Sequence, residues 1–319
     1  KAGGGIKGRM FAWSAKQART FSVASEKTFG PGLFKKMRHG IADALVLKKI
    51  RSVLGPNLRY IVSGGAPLAT DLAHFYAGMG ITLIQGYGLS ETTGPIAVQH
   101  IGKNPVGGVG LPLPGNFIKI AKDGEILVRG QSVMPGYYHL PEQTAEVMPD
   151  GKWFHTGDLG SIDRKGQLTI TGRKKELIVT AGGKNVSPEV LEESLSTHPL
   201  IANIIVVGDN RPYIGALIAL DTEMLPEWLA THGLPVVDAA QAANLPEVRE
   251  SLEKAIARAN QAVSRAESIR RYRIVNAAFT VENGYMTPSL KLKRRRVLAD
   301  YADEVDALYA SGEAAKNQE

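Results

Sequence analysis

The chain has 319 residues, 44% of them hydrophobic, a length and apolar content that accommodate two domains with sizeable cores. Basic residues (38) outnumber acidic ones (31), and the formal net charge of +7 suits an anionic partner: a phosphate-bearing small molecule, an anionic lipid or a nucleic acid. The absence of cysteine excludes disulfides, thiolate metal sites and a Cys nucleophile and fits a reducing, cytoplasmic setting, and no apolar run reaches the ~18 residues of a membrane span.

The first residue is Lys, not Met, so the chain is read as starting inside a longer protein. The opening is basic and aromatic, with Glu26 the first acidic residue. That composition faintly resembles a transit peptide, but an amphipathic helix over residues 10–21 accounts for it more simply. Phe11, Trp13 and Phe21 alternate there with Lys7, Arg9, Lys16 and Arg19. The arrangement suits a peripheral contact with a bilayer, and equally suits packing against residues upstream.

Residues 59–94 read as a β-α-β unit. Tyr60-Ile61-Val62-Ser63 is a short strand, Gly64-Gly65-Ala66-Pro67 a tight turn, and Asp71, Leu72, Phe75 and Tyr76 lie on a helix that ends at residues 78–80. Ile81-Thr82-Leu83-Ile84 is the next strand, followed by a Gly86-Tyr87-Gly88 loop. Such crossovers build parallel sheets, whose ligands sit beyond the carboxyl ends of the strands. Both glycine turns lie at such ends.

From 105 to 171 the texture is one of short strands and turns. Asp123-Gly124 and Asp163-Arg164-Lys165-Gly166 each precede an alternating run, which predicts hairpins in a small β-barrel or sheet. The texture changes again at Gly172, so the expected domains are 1–171 and 172–319. The second is α+β, with apolar strands at 204–207 and 214–220 and a polar, proline-containing stretch at 221–246. A helix follows, with Val248, Leu252, Ile256 and Val263 on one face, and Asn283-Gly284 marks a hairpin. Lys293-Arg294-Arg295-Arg296 has the composition of a nucleic-acid patch, but it opens a helical pattern (Val297, Leu298, Tyr301, Val305, Leu308). It is therefore read as a mostly solvated first turn, with no nucleic-acid partner. No internal repeat is present. The expected class is α/β: a partial large domain followed by a smaller α+β domain.

Four motifs occur in a fixed order: Gly86-Tyr87-Gly88-Leu89-Ser90-Glu91-Thr92-Thr93-Gly94, Trp153-Phe154-His155-Thr156-Gly157-Asp158, Gly172-Arg173-Lys174-Lys175-Glu176-Leu177-Ile178, and Pro288-Ser289-Leu290-Lys291-Leu292-Lys293-Arg294. Each is short, and Gly-rich motifs alone are weak. In this order, over nearly the whole chain, they resemble the adenylate-forming family of acyl-CoA synthetases, luciferases and nonribosomal adenylation domains. The family's upstream Ser/Thr/Gly-rich phosphate loop matches nothing here. The chain therefore resembles the carboxy-terminal part of such an enzyme, and on its own is expected to release little pyrophosphate from ATP.

The resemblance assigns roles. Tyr87 would stack on adenine, with Gly64, Gly65 and Ala66 lining the base. Ser90 would approach the α-phosphate, and Glu91 would hold Mg²⁺, a hard cation that takes oxygen ligands. Asp158 would accept from the ribose hydroxyls. Arg173 would reach ribose or phosphate, with Gly172 as a hinge. Trp153 and His155 receive no chemistry, and Lys174 and Lys175 are expected to face solvent. Gly182 and Gly183 resemble the glycine loop along the pantetheine channel of CoA. Lys291 would bridge the substrate carboxylate and the α-phosphate, with Lys293 as its competitor. The residue-level alternatives stay open: Tyr87 as ordinary core, Glu91 as a helix-start carboxylate, Asp158 as a turn residue.

The Ser-Leu-Lys-Leu-Lys-Arg variant resembles the long-chain acyl-CoA synthetase branch. The expected reaction joins ATP, a fatty acid and CoA by way of an acyl-AMP. The rivals are an acyl-AMP ligase that loads a carrier protein, a non-catalytic module that holds nucleotide or acyl-adenylate, and a basic membrane- or nucleic-acid-binding protein. The sequence contains no Ser-His-Asp elbow, Walker loop or dinucleotide fingerprint.

Overall fold

The computed structural model describes residues 6–101, 105–288 and 290–316; Ser289 of the fourth motif lies outside them. The chain divides into two compact units, Lys1–Lys175 and Glu176–Glu319. The expected boundary at 171/172 falls inside a strand. Gly172 and Arg173 pair with Leu159 and Asp158, and that ladder holds them in the first unit.

The first unit opens with helix α1 (Ile6–Ser25), followed by α2 (Leu33–Ala42) and, after a wider turn at Asp43–Leu47, α3 (Lys48–Leu54). The buried face of α1 is built from small and polar residues, Ser14, Ala15, Gln17, Ala18, Ser22 and Ala24, which let α4 (Thr70–Gly78) come close. A Cβ on Gly78 would lie 2.0 Å from the Ala18 carbonyl oxygen, so only glycine fits there. The aromatic residues of α1 are used within the unit. Trp13 packs on the cluster of Ala18, Leu47, Met79 and Ile81. Phe21 stacks on His39 at 4.0 Å between ring centroids, and Phe11 meets Phe75 edge-on at 6.3 Å.

The β-α-β unit forms as expected. Strand β1 (Tyr60–Gly64) runs parallel to β2 (Thr82–Leu89), with α4 as the crossover. The Gly86-Tyr87-Gly88 segment is part of β2, not a loop beyond it. The antiparallel strand β3 (Gly94–Val98) extends the ladder to Leu89, and short β4 (Leu111–Pro112) completes the sheet order β1-β2-β3-β4. The expected hairpins form one open antiparallel sheet, β5 (Asn116–Ile120), β6 (Glu125–Gly130), β7 (Phe154–Ile162) and β8 (Leu168–Arg173), with helix α5 (Pro141–Val147) between β6 and β7. Its apolar face meets that of the first sheet in a core of Ile96, Ala97, Val109, Ile126, Val128, Phe154 and Leu168.

The second unit starts with the small ladder β9 (Ile178–Val179) and β10 (Asn185–Val186), then α6 (Pro188–Ser196). Strands β11 (Ile201–Val207), β12 (Ile214–Leu220) and, beyond three helices, β13 (Ile269–Val275) form its sheet. Those helices are α7 (Leu225–Thr231), α8 (Ala239–Ala242) and α9 (Pro246–Ala259). Every residue of central β12 is buried, because both faces are covered. One face packs Ile204, Val206, Ile214 and Ile218 against Leu191, Leu195, Leu229, Val248 and Leu252; the other packs Ile205, Leu217 and Val275 against Val297 and Leu308. The polar, proline-containing stretch at 221–246 contains α7, because Leu225 and Leu229 share one buried face and Pro226 suits a helical first turn. The helical pattern after Lys293 is two helices, α10 (Arg294–Asp300) and α11 (Ala302–Lys316).

The hairpin expected at Asn283-Gly284 forms no regular strands. The Asn283 side chain takes the backbone partners a ladder would use, accepting from the Thr280 N–H and donating to the Ala278 carbonyl. The strand-like pairing comes one step later. The Lys293 N–H donates to the Tyr285 carbonyl, Met286 bridges Leu292, and the Thr287 N–H donates to the Lys291 carbonyl. These pairs make a hairpin in which Thr287 and Lys291 face each other near the tip.

Candidate functional site

In the first unit the residues expected to hold a nucleotide lie on β1 and β2 of one sheet and on β7 and β8 of the other. Gly64 ends β1 directly opposite Gly86 on β2, and a Cβ on Gly64 would stand 3.2 Å from the Gly86 carbonyl oxygen. Gly65 follows with φ +77° and turns the chain into exposed Ala66. Tyr87, one residue past this pair, directs its hydroxyl at Asp158 and donates to Oδ2 at 2.6 Å. Asp158 on β7 and Arg173 on β8 are cross-strand partners, with the guanidinium Nε 3.1 Å from Oδ1. Tyr87 and Arg173 thus share the carboxylate of Asp158, a residue 4% exposed. Burial, and then the neighbouring Asp158 charge, push the Tyr87 phenol well above its usual pKa, so it stays a donor.

Ser90 and Glu91 form a short helical turn directly after β2. Thr92 locks that turn: its buried hydroxyl accepts from the Leu89 N–H at 2.9 Å and donates to the Gly94 carbonyl at 2.7 Å. Ser90 is exposed. The Glu91 carboxylate accepts from the Tyr137 hydroxyl at 2.9 Å, while its carbonyl accepts from the Met134 N–H. Burial, then this hydrogen bond, raises the Tyr137 pKa. Among the described residues no group of three or more His, Asp or Glu side chains could enclose a metal. A cation on Glu91 would therefore need further oxygens from elsewhere, which phosphates and water supply in ordinary Mg²⁺ sites.

Sequence reasoning missed Tyr137 and Glu125. Glu125, on β6, is 5% exposed. It accepts from the Gly157 N–H at 2.9 Å and contacts His155 Nδ1 at 3.2 Å and Lys174 Nζ at 3.1 Å. Burial alone would raise its pKa, but Lys174, the Gly157 amide and His155 outweigh it and hold the carboxyl below its usual range. Glu125 thereby fixes the turn that presents Asp158. Lys174 does not simply face solvent, because its ammonium is also 2.6 Å from Asp123. Trp153 lies between two cations, with Lys119 Nζ 4.1 Å and the Arg129 guanidinium 5.1 Å from ring centroids, a packing role. A carboxylate just after an Asx-Gly turn was the only sequence sign of Glu125, and it reads equally well as an ordinary strand residue.

The other predicted residues belong to the second unit. Gly182 and Gly183 form the turn between β9 and β10, closed by the Thr180 N–H to the Lys184 carbonyl at 3.0 Å. Gly183 is required by φ +75°, and nothing crowds a Cβ at either position within 3.4 Å. Lys291 is exposed at the hairpin tip, its N–H donating to the Thr287 hydroxyl at 3.0 Å. Leu290 before it has φ +59° and is 68% exposed, a left-handed conformation that usually falls to glycine. Arg294 departs from the solvated-turn reading: its guanidinium, 19% exposed, is 2.7 Å from Glu192 Oε1.

The Tyr87 hydroxyl of β2 thus meets a cross-strand Asp158–Arg173 pair. The family model for AMP-binding enzymes matches residues 20–138, and the model for the AMP-binding enzyme C-terminal domain matches residues 175–313. The chain belongs to the AMP-binding, adenylate-forming family. It is 48% identical over 307 residues to the long-chain-fatty-acid–CoA ligase FadD15 of Mycobacterium tuberculosis, covering 95% of this chain and 50% of that protein. It is 32% identical over 330 residues to the long-chain-fatty-acid–CoA ligase ACSBG1 of Homo sapiens, covering 96% of this chain and 45% of that one. The chain thus spans about half the length of the curated relatives it matches. Among solved structures, the A-PCP didomain of a carboxylic acid reductase from Segniliparus rugosus, in complex with AMP, superposes with TM-score 0.68. It is 24% identical and covers 96% of this chain and 41% of that one. O-succinylbenzoate coenzyme A synthetase from Bacillus subtilis, with ATP and magnesium, gives TM-score 0.56 at 24% identity, covering 78% of this chain and 49% of that one. These likenesses establish the fold.

Proposed function

We propose that the protein containing this chain activates a long-chain fatty acid with ATP and transfers the acyl group to CoA. The convergence of Tyr87 and Arg173 on the buried Asp158 carboxylate carries this reading, and kinship with long-chain ligases directs it to fatty acids. The first unit would be the later part of the large adenylate-binding domain and the second its mobile carboxy-terminal domain, with the division a few residues beyond the expected 171/172. Exposed apolar residues on α2 (Leu33, Phe34, Met37) and on edge strand β1 (Tyr60, Val62) are what upstream residues of the intact protein would cover.

In the first half-reaction a carboxylate oxygen attacks the α-phosphorus of ATP, the bond to the β-phosphate oxygen breaks, and acyl-AMP and pyrophosphate result. Tyr87 presents its ring to adenine beside Gly64, Gly65 and Ala66. Asp158, accepting from Tyr87 and Arg173, keeps lone pairs that can accept the ribose hydroxyls. Ser90 donates toward the α-phosphate. Glu91, held by Tyr137, would hold Mg²⁺ together with phosphate oxygens, and the ion would supply neutralisation of phosphate charge. Lys291 places an ammonium between the two approaching anions. In the second half-reaction the CoA thiol, passing Gly182 and Gly183, attacks the acyl carbonyl and AMP leaves. The protein contributes positioning and charge complementarity.

Membrane contact through α1 is not favoured, because Trp13 and Phe21 pack inside the unit. Among the described residues no helix is long and apolar enough to cross a membrane.

The test uses the full-length protein. Lys291→Ala is expected to slow acyl-AMP formation by several kcal/mol, about the scale of one lost transition-state charge partner, and to spare thioester formation from supplied acyl-AMP. Equal slowing of both steps would show that Lys291 is structural and return Lys293 as the candidate.

A further inference from the structure

The basic run Lys293–Arg296 is left without a role by the reaction, yet one member is not a surface charge. Arg294 opens α10, three residues after Lys291. Its guanidinium is bound on two sides: one nitrogen lies 2.7 Å from Glu192 Oε1 on α6, and another donates to the Val206 carbonyl on β11. The same Glu192 oxygen accepts from the Val206 N–H at 2.7 Å. Val206 lies on the edge strand of the sheet, so Glu192 and Arg294 together satisfy both of its backbone groups. Arginine and glutamate side chains are 19% and 24% exposed, which is sheltered for an ion pair. A forked guanidinium serves a carboxylate and a carbonyl at once; an ammonium is a single point and cannot.

The hairpin carrying Lys291 rests Tyr285, Met286 and Leu292 on the apolar core that covers one face of the sheet, a contact that fixes its base without fixing the direction of its tip. Its base is closed by the Lys293 N–H to the Tyr285 carbonyl at 2.8 Å, and Arg296 caps the same end through the Gly284 carbonyl and the Tyr285 ring. Those contacts hold the hairpin to its own helix. The Arg294 fork adds a directional polar tie from that assembly to α6 and β11. The tip itself contains a strained, exposed Leu290, so it does not hold its place by burial.

We infer that Arg294 is a positioning residue: locked to Glu192 and Val206, it sets where the Lys291 ammonium is presented and thereby tunes adenylation without touching substrate. The inference rests on the assignment of Lys291 to that step. A geometrically demanding charge partner loses much of its effect when displaced by about an ångström. A mere fold-stabilising contact would instead weaken every activity of the unit together.

The experiment compares Arg294→Ala, Arg294→Lys and Lys291→Ala in the full-length protein. In Arg294→Ala, hydrogen exchange of the amides in 285–293 is expected to quicken by roughly tenfold or more, while β12 and α9 keep wild-type protection. Acyl-AMP formation is expected to lose roughly ten- to a hundredfold in kcat at unchanged KM for ATP, with thioester formation from supplied acyl-AMP within about twofold. Arg294→Lys should restore part of both. Unchanged exchange in 285–293 overturns the inference. So does faster exchange throughout the unit with both half-reactions falling together. Should Lys291→Ala spare adenylation, the Lys291 assignment fails instead, and the exchange result alone still decides whether Arg294 anchors the hairpin.

Discussion

Tyr87→Phe removes one oxygen and keeps the ring, so it isolates the hydroxyl that reaches Asp158. Tyr87 and Arg173 both hold that carboxylate, and they are unequal. Arg173 approaches at 3.1 Å, but its side chain is 50% exposed, and such a pair contributes about 0–1 kcal/mol. The Tyr87 hydroxyl donates at 2.6 Å to a carboxylate whose side chain is 6% exposed, and hydrogen bonds to charged groups contribute about 1.5–3 kcal/mol. The phenylalanine variant should therefore lose about 1.5–3 kcal/mol. For a unit of this size each kcal/mol moves the melting temperature by about 2–4 °C. Calorimetric melting of the chain is the assay, run as a double-mutant cycle with Asp158→Asn. A coupling energy above about 1 kcal/mol is expected. Titration with AMP extends the test: with Asp158 no longer oriented, binding should weaken by roughly tenfold, or about 1.4 kcal/mol. A Tyr87→Phe chain that melts with the wild type, and a cycle with negligible coupling, would refute the claim that Tyr87 orients Asp158.

Two further substitutions probe the frame around the site. Gly88→Ala should destabilise the first unit by about 1–3 kcal/mol, since overpacking costs that much and its Cβ would lie 2.0 Å from the Gly94 carbonyl oxygen; a melt equal to wild type would show that the β2–β3 bulge relaxes freely. His198 gives the second unit a pH dependence. Burial, and then the charge of Arg258, lower its pKa to about 4, and its ring stays neutral with Ser251 at 3.1 Å and the Leu200 N–H at 3.3 Å. The unfolded chain takes up that proton first, so the stability from neutral His198 is full above about pH 6.5 and is lost as pH falls toward 4, a loss of roughly 1–3 kcal/mol once partial exposure is discounted. Urea midpoints at both ends of that window should converge in His198→Gln, and an unaltered slope would refute the assignment.

Much of this protein was legible locally. Parallel β1 and β2 follow from two apolar runs separated by a helical pattern, and the turns at Asp123-Gly124 and Asp163–Gly166 follow from Asx and glycine chemistry, which acts within four residues. The order of four motifs was enough to place the family and the domains' general character. Where two signals competed, residue type alone did not decide between them. Asn283-Gly284 turns the chain but makes no strands, because the Asn283 side chain captures the backbone groups. Gly86-Tyr87-Gly88 is strand because residues of β3 seven to twelve positions on pair with it.

The sequence by itself determined the chemistry available: one tyrosine, one aspartate and one arginine in three separate motifs, and a lysine after Pro288. Only the tertiary structure decided which of them meet. The contact from Tyr87 to Asp158 crosses 71 positions of chain, and that from Arg294 to Glu192 crosses 102. Residue type alone cannot distinguish Arg294, nearly enclosed, from Arg295 beside it, exposed. A charge is solvated or buried according to which carboxylate and which carbonyl the sheet brings within reach of its nitrogens, and that is a property of the fold.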